Sequence, residues 1–206
     1  MAVFNSDPIM FALAGDSPAA WLFSACQLRN AGAKVDWIHK DNISVNPNRR
    51  LPITPWRHNA ELALAFPVYR LLMGLSFENL LKGILIARGT PSTNKGKLAR
   101  VFQTHALSTL LSKVEKPPLV FSPKERELIA ELERFVKWQG RYPIPTDAAA
   151  YIGYMLNNPN EHELEHALWN RLRDHLVAIG WHKDVEGNRY KLKREGSTVS
   201  IGEVIR

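Results

Sequence analysis

Apolar positions are densest in Leu71-Leu72-Met73-Gly74-Leu75-Ser76-Phe77-Glu78-Asn79-Leu80-Leu81-Lys82-Gly83-Ile84-Leu85-Ile86. Advanced by about 100° per residue, Leu71, Leu75, Leu81, Leu85 and Ile86 share one face, and Met73, Phe77, Leu80 and Ile84 the other. A helix apolar nearly all round belongs at the centre of a fold. Glu78 and Lys82 stand one turn apart in the middle of the leucine face, where an unpaired charge would cost several kcal/mol. The pattern predicts a central helix whose two charges are satisfied by each other or by a polar cluster with a task.

The flanking segments also read as helices. Ser17-Pro18 is an N-cap with proline at the first helical position. It opens a helix to about Asn30, with Trp21, Leu22, Ala25 and Leu28 at helical spacing and Gly32 as its stop. Asn, Pro and Arg between Asp41 and Pro52 predict an exposed loop. Thr54-Pro55 repeats the cap device, and Pro67 is expected to kink or divide the helix that follows. The central helix should stop at Arg88-Gly89, with a loop to Gly96. Thr104 should cap a short helix from His105 to about Val114. Ser122-Pro123-Lys124-Glu125 is a capping box. It precedes Leu128, Ile129, Leu132, Phe135 and Val136, the packing side of a helix expected to end at Gly140.

Beyond Pro145 the pattern predicts a short helix from Asp147 to about Leu156 and a longer one opened by an Asn160/Glu163 capping box and closed by Gly180. Alternation around Glu186-Gly187-Asn188, between Trp181 and Arg194, suggests a β-hairpin. The expected fold class is all-α: an antiparallel four-helix-type bundle over residues 1–145, with C-terminal helices and a small β-hairpin over 146–206 packed on it.

Composition changes this picture little. The 206 residues, 45% hydrophobic and 23% charged, suit a globular chain with a substantial core. The 27 Lys+Arg against 20 Asp+Glu give a net charge of +7, which attracts polyanions. Arg49-Arg50, Lys95 to Arg100, and the group Arg189, Lys191, Lys193 and Arg194 matter only where the fold gathers them. The single cysteine, Cys26, has no internal partner, and no basic n-region precedes an apolar core at the start, so a reducing cytoplasm is expected. The central run is too polar for a membrane span.

His162-Glu163-Leu164-Glu165-His166 matches the H-E-x-x-H metalloprotease signature. Leu164, Leu168, Leu172, Leu176 and Ile179 set the buried side of that helix, and both histidines fall about 100° or more away, toward water. A zinc hydrolase through this motif is one alternative, set against the outward placement of both histidines. Walker loops, G-x-S-x-G elbows and C-x-x-C pairs are lacking. Trp56-Arg57, Trp138 and Trp181 are candidate base-stacking groups, although packing is the more ordinary use of tryptophan at helix ends.

An opening helix bearing Trp21 and Ala25, then Leu75-Ser-Phe-Glu78-Asn-Leu-Leu-Lys82-Gly-Ile-Leu, then His105-Ala-Leu-Ser-Thr-Leu, then a long helix running to Arg141-Tyr-Pro, come in the order of a known bundle. Over roughly residues 10 to 145 the chain resembles the HEPN family (higher eukaryotes and prokaryotes nucleotide-binding). Many of its members are metal-independent ribonucleases of toxin, phage-defence or RNA-processing systems, acting as dimers; others are non-catalytic binding modules. The resemblance implies RNA or a nucleotide as ligand, a homodimer, an antitoxin or other protein partner, and no cofactor. Ribonuclease members carry Arg followed by four to six residues and His. Arg100-Val-Phe-Gln-Thr-His105 has this spacing, with Val101 where the family usually has a polar residue and a place ahead of the third helix rather than on the last. Arg100 and His105 are thus the catalytic candidates: a histidine serves as general base on a 2′-hydroxyl, and an arginine offsets phosphorane charge. Arg141 is a candidate guanidinium for phosphate or for Glu78. Glu78, Lys82, His105 and Arg141 are expected to converge in one polar cluster.

Overall fold

The computed structural model describes residues 15–43, 60–94, 97–139, 159–184, 186, 188–196 and 198–205. The Thr54-Pro55 cap, the Asp147–Leu156 helix, the Gly140 stop, Trp56, Arg57 and Arg141 lie outside them. The described chain is mostly helical, with α1 Pro18–Ile43, α2 Ala60–Ala87, α3 Leu107–Val114, α4 Pro123–Arg134 and α5 Pro159–Ile179. Strands β1 Thr93–Asn94 and β2 Lys97–Leu98 form a small antiparallel ladder, and β3 Trp181–Lys183, β4 Arg189–Glu195 and β5 Thr198–Ile205 a three-stranded antiparallel sheet in the order β3-β4-β5.

The central helix is α2. Met73, Phe77, Leu80, Leu81, Ile84, Leu85 and Ile86 are all buried in one core with Leu22 and Ala25 of α1, Leu110 of α3, Ile129 and Leu132 of α4, and Leu168 and Leu172 of α5. Two glycines permit this closeness. A Cβ on Gly74 would overlap Val136 Cγ2 and sit 3.1 Å from the Leu132 carbonyl oxygen, and one on Gly83 would come within 2.7 Å of Leu176 Cδ2. The helix stops where the sequence indicates: Gly89 has φ +88°, its N–H donates to Ile86 O at 2.8 Å, and Thr90 N donates to Leu85 O at 2.9 Å, a Schellman ending. Ser122 and Glu125 form the expected reciprocal box on α4, whose last turn widens into a π-helical turn, Phe135–Gln139.

Several boundaries differ from expectation. α1 does not stop near Gly32 but continues to Ile43; Gly32 lies at the α1–α2 crossing, where its Cβ position is 3.5 Å from both Leu72 Cβ and Met73 Sδ. The glycine does not terminate the helix, and a methyl there would meet only ordinary van der Waals contact. Pro67 does not divide α2, which runs through it at the loss of one backbone donor. Thr104 Oγ1 accepts from Ala106 N at 3.0 Å, closing a turn before α3, so His105 precedes the helix. α5 begins at Pro159, which makes Asn160 its second residue rather than its cap.

The fold is not all-α with a hairpin appended. β5 adds a third strand, pairing with β4 from Arg189↔Ile205 to Glu195↔Thr198 around Gly196, whose φ is +62°. Val199, Ile201, Val204 and Ile205 suit a strand because β-branched side chains are stiff and fit the pleat. Among the described residues, no helix is long and apolar enough to cross a membrane.

Candidate functional site

α2 presents Glu78 and Lys82 on one side, and Lys82 Nζ donates to Glu78 Oε1 at 2.6 Å with both side chains buried. The other carboxylate oxygen, Oε2, lies 2.9 Å from His105 Nδ1. A carboxylate only accepts, so Nδ1 carries the hydrogen; in a neutral ring this leaves Nε2 with a free lone pair. The His105 side chain is 48% exposed while Glu78 is 7% exposed, so a buried anion holds a ring that still reaches water.

The segment carrying His105 is fixed at both ends. Phe102, 1% exposed, closes a 3-10 turn, Arg100–Phe102, and its ring lies 5.8 Å from that of Trp21. Trp21 in turn donates from Nε1 to Gly15 O at 2.8 Å and lies 5.8 Å from Lys82 Nζ. Leu107 is fully buried at the start of α3, and α4 caps that helix through Glu133 Oε2, which accepts from Ser108 N at 2.7 Å. Three of the four residues expected to converge, Glu78, Lys82 and His105, do so; the fourth, Arg141, lies outside the described residues.

Arg100 stands exposed on the 3-10 turn, five residues before His105. Between Glu78 and Glu115 the chain contains no acidic residue, but it does contain Lys82, Arg88, Lys95, Lys97, Arg100 and Lys113. Carboxylates brought to this region from elsewhere are occupied: Asp16 Oδ1 accepts from Ser92 N at 2.9 Å and from Ser92 Oγ at 2.5 Å, and Glu133 is held by Ser108 and Lys137. Of these cations Lys97, Arg100 and Lys113 are exposed, whereas Lys82 is buried on Glu78 and Arg88 is held by Val114 O and His175.

A second polar network escaped the sequence reading. Arg70, 1% exposed, donates from Nη1 to Glu165 Oε2 at 3.0 Å and meets Glu131 Oε1 at 2.5 Å, while the Tyr69 hydroxyl donates to Glu165 Oε1. Glu165 is the inner glutamate of the His-Glu-Leu-Glu-His run and is buried, whereas Glu163, the metalloprotease base position, is exposed. His162 is half-buried, its Nδ1 3.3 Å from the Tyr69 hydroxyl; His166 is exposed, accepting at Nδ1 from Asn170 Nδ2 at 3.0 Å. Burial, helped by Arg29 and Arg173, pushes the His166 pKa down. Among the described residues, no group of three or more His, Cys, Asp or Glu is placed to hold a metal ion.

A cleft of about 640 Å³ lies over this network, lined by Arg29, Tyr69, His162, Glu165 and His166 among others. Arg29 lies 3.9 Å from the ring centroid of the buried Trp169, whose Nε1 donates to Ser76 Oγ at 2.8 Å. Nearby Cys26 is half-buried, and burial raises its thiol pKa against the opposing pull of Arg173 and Arg29. The network ties α2, α4 and α5 together by charge-assisted bonds, and a signal for it was present. Arg70 shares the helical phase of Met73 and Phe77, and Glu165 that of Leu168 and Leu172.

No family model, curated protein or solved structure matches the chain.

Proposed function

We propose that this chain is a HEPN-like RNA-binding protein that acts as a metal-independent endoribonuclease, with α1 to α4 as the principal helices of an antiparallel bundle. The observation that carries the reading is the 2.9 Å contact between His105 Nδ1 and the buried Glu78 carboxylate, which orients a half-exposed imidazole as a general base. His105 Nε2 takes the proton of a 2′-hydroxyl, O2′ bonds to the adjacent phosphorus, and the bond from phosphorus to O5′ breaks, with O5′ taking a proton from water. The products are a 2′,3′-cyclic phosphate and a 5′-hydroxyl end. Arg100, exposed on the preceding turn, offsets the charge that gathers on the phosphoryl oxygens. Glu78 is a positioning residue, and Lys82 holds its carboxylate in place. The same reading brings a second copy of the chain as partner and a protein antitoxin as the neutralising one.

Product chemistry tests the proposal. An RNA incubated with the protein and EDTA should yield cyclic-phosphate ends, and a 2′-deoxy nucleotide at the cleaved position should block that cut. Ends bearing 3′-hydroxyls, or cutting that ignores the 2′-deoxy substitution, would refute the assigned base.

A further inference from the structure

A cationic surface is assembled by strand register on the C-terminal sheet. Along β4, Arg189, Lys191 and Lys193 alternate with Tyr190 and Leu192, so the three cations share one face. Leu192 is buried, with Cδ1 2.9 Å from the Cβ position of Gly180, which assigns the opposite face to the α5 side. Pairing carries the cationic face across to β3, where Trp181 stands opposite Lys191 and Lys183 opposite Arg189, and directly opposed residues project on the same side. The Arg189 guanidinium lies 4.4 Å from the Trp181 ring centroid. The β4 cations are exposed, and Trp181 and Lys183 are half-buried. Two acids border the face: Glu195, 3.3 Å from Lys193 at the strand end, and the exposed Glu203 on β5. Arg194 belongs to the other face, where it pairs with Asp174 at 2.8 Å.

We propose that this face binds single-stranded RNA, with Lys183, Arg189, Lys191 and Lys193 along the phosphates and a base stacked at the Trp181–Arg189 pair. Cations at alternate positions recur about every 6.8 Å along a strand, forming a line of positive charge that a flexible polyanion can follow, and aromatic stacking beside a cation is the usual partner of such a line. An anionic membrane would require apolar side chains among the cations. The exposed Ile201 and Val204 stand opposite Leu192 and Tyr190, on the other face, and Ile205, opposite Arg189, is the one exposed aliphatic residue of β5 at the border of the cationic face, too little apolar surface for membrane insertion. The proposal shares with the ribonuclease reading only the choice of RNA as ligand; it is read by affinity, whereas His105 is read by cleavage.

The test is fluorescence anisotropy of a labelled 2′-O-methyl oligouridylate of about 12 nucleotides, within ordinary single-strand site sizes, titrated with the full chain across a series of salt concentrations. Such a ligand has no 2′-hydroxyl to ionise, so binding is measured whether or not the protein cleaves RNA. Lys191→Ala/Lys193→Ala, at two exposed positions, should weaken binding at least about ten-fold and flatten the slope of log affinity against log salt by about 1.4. Trp181→Ala should weaken it about 5- to 100-fold, and Trp181→Phe should recover most of the loss. Lys124→Ala, exposed on α4 rather than on the sheet, should bind as wild type. The proposal is overturned if the double variant keeps wild-type affinity and slope, or if the wild-type chain binds phosphatidylserine vesicles and not the oligonucleotide. Sheet-dependent binding without any cleavage of ordinary RNA would uphold this face and remove only the ribonuclease reading.

Discussion

His105 and His175 show how one side-chain type is put to two uses by its neighbours. His105 Nδ1 faces a carboxylate and so carries a proton there, leaving Nε2 with a lone pair in the neutral ring. His175 Nε2 lies 3.1 Å from Arg88 Nη2, and because a guanidinium only donates, that nitrogen accepts and the ring is neutral. Burial, then Arg88, lowers the His175 pKa below its ordinary 6.5. The folded protein thus binds fewer protons at this site than the unfolded chain, so stability is full above about pH 6.5 and falls as pH drops through the window beneath it. Urea midpoints measured from about pH 7.5 to about pH 5 should decline less steeply for His175→Gln than for wild type. Equal slopes would contradict the depressed value. For His105→Ala, which leaves the buried Glu78 Oε2 without that donor, folding stability should fall by about 1–3 kcal/mol while cleavage at matched folded concentration falls about 10²- to 10⁴-fold. Glu78→Gln, which leaves Lys82 buried without its counter-charge, should lose both activity and stability, as seen in paired denaturation and rate measurements.

At the level of elements, close packing decided what sequence punctuation did not. Gly89 and the Ser122/Glu125 box were legible because their signals are local: a left-handed residue after an apolar run, and a serine three residues before a glutamate. Gly32 carries the same letter as a helix stop but sits at a helix crossing, and only the partner helix distinguishes the two. The α5 register was legible in its leucines; Glu165 and Arg173, also buried, share that phase, but residue type alone assigns a charged side chain to solvent. Two substitutions separate these roles. Gly74→Ala should cost about 1–3 kcal/mol in chemical denaturation because the added methyl meets Val136 and Leu132, against a helix-propensity gain of about 1 kcal/mol. Glu165→Ala should cost about 3–5 kcal/mol, since Arg70 would be left buried without that carboxylate, whereas Glu163→Ala should change stability by less than about 0.5 kcal/mol. The reverse order would mean that the His-Glu-Leu-Glu-His run has a different use from the one its geometry supports.

Across the whole molecule, charge is sorted rather than spread. The chain from Asn79 to Val114 contains no acidic residue, and β4 lines its cations along one face, neither of which a net charge of +7 alone reveals. The second needed the register that sets Trp181 beside Lys191. The third strand was written in the sequence as a Gly196-Ser197 pair between two β-rich runs, but the C-terminal run lies beyond the first hairpin signal. The central helix, with its buried Glu78 and Lys82, was readable from apolar phase alone. What the pair does depends on His105 meeting it. Cleavage of a mixed-sequence RNA, with EDTA present, by wild type and by His105→Ala at matched folded concentration tests that dependence most directly. Cutting by the wild type that the substitution removes is the expected result; equal cutting by both, or none by either, would contradict it.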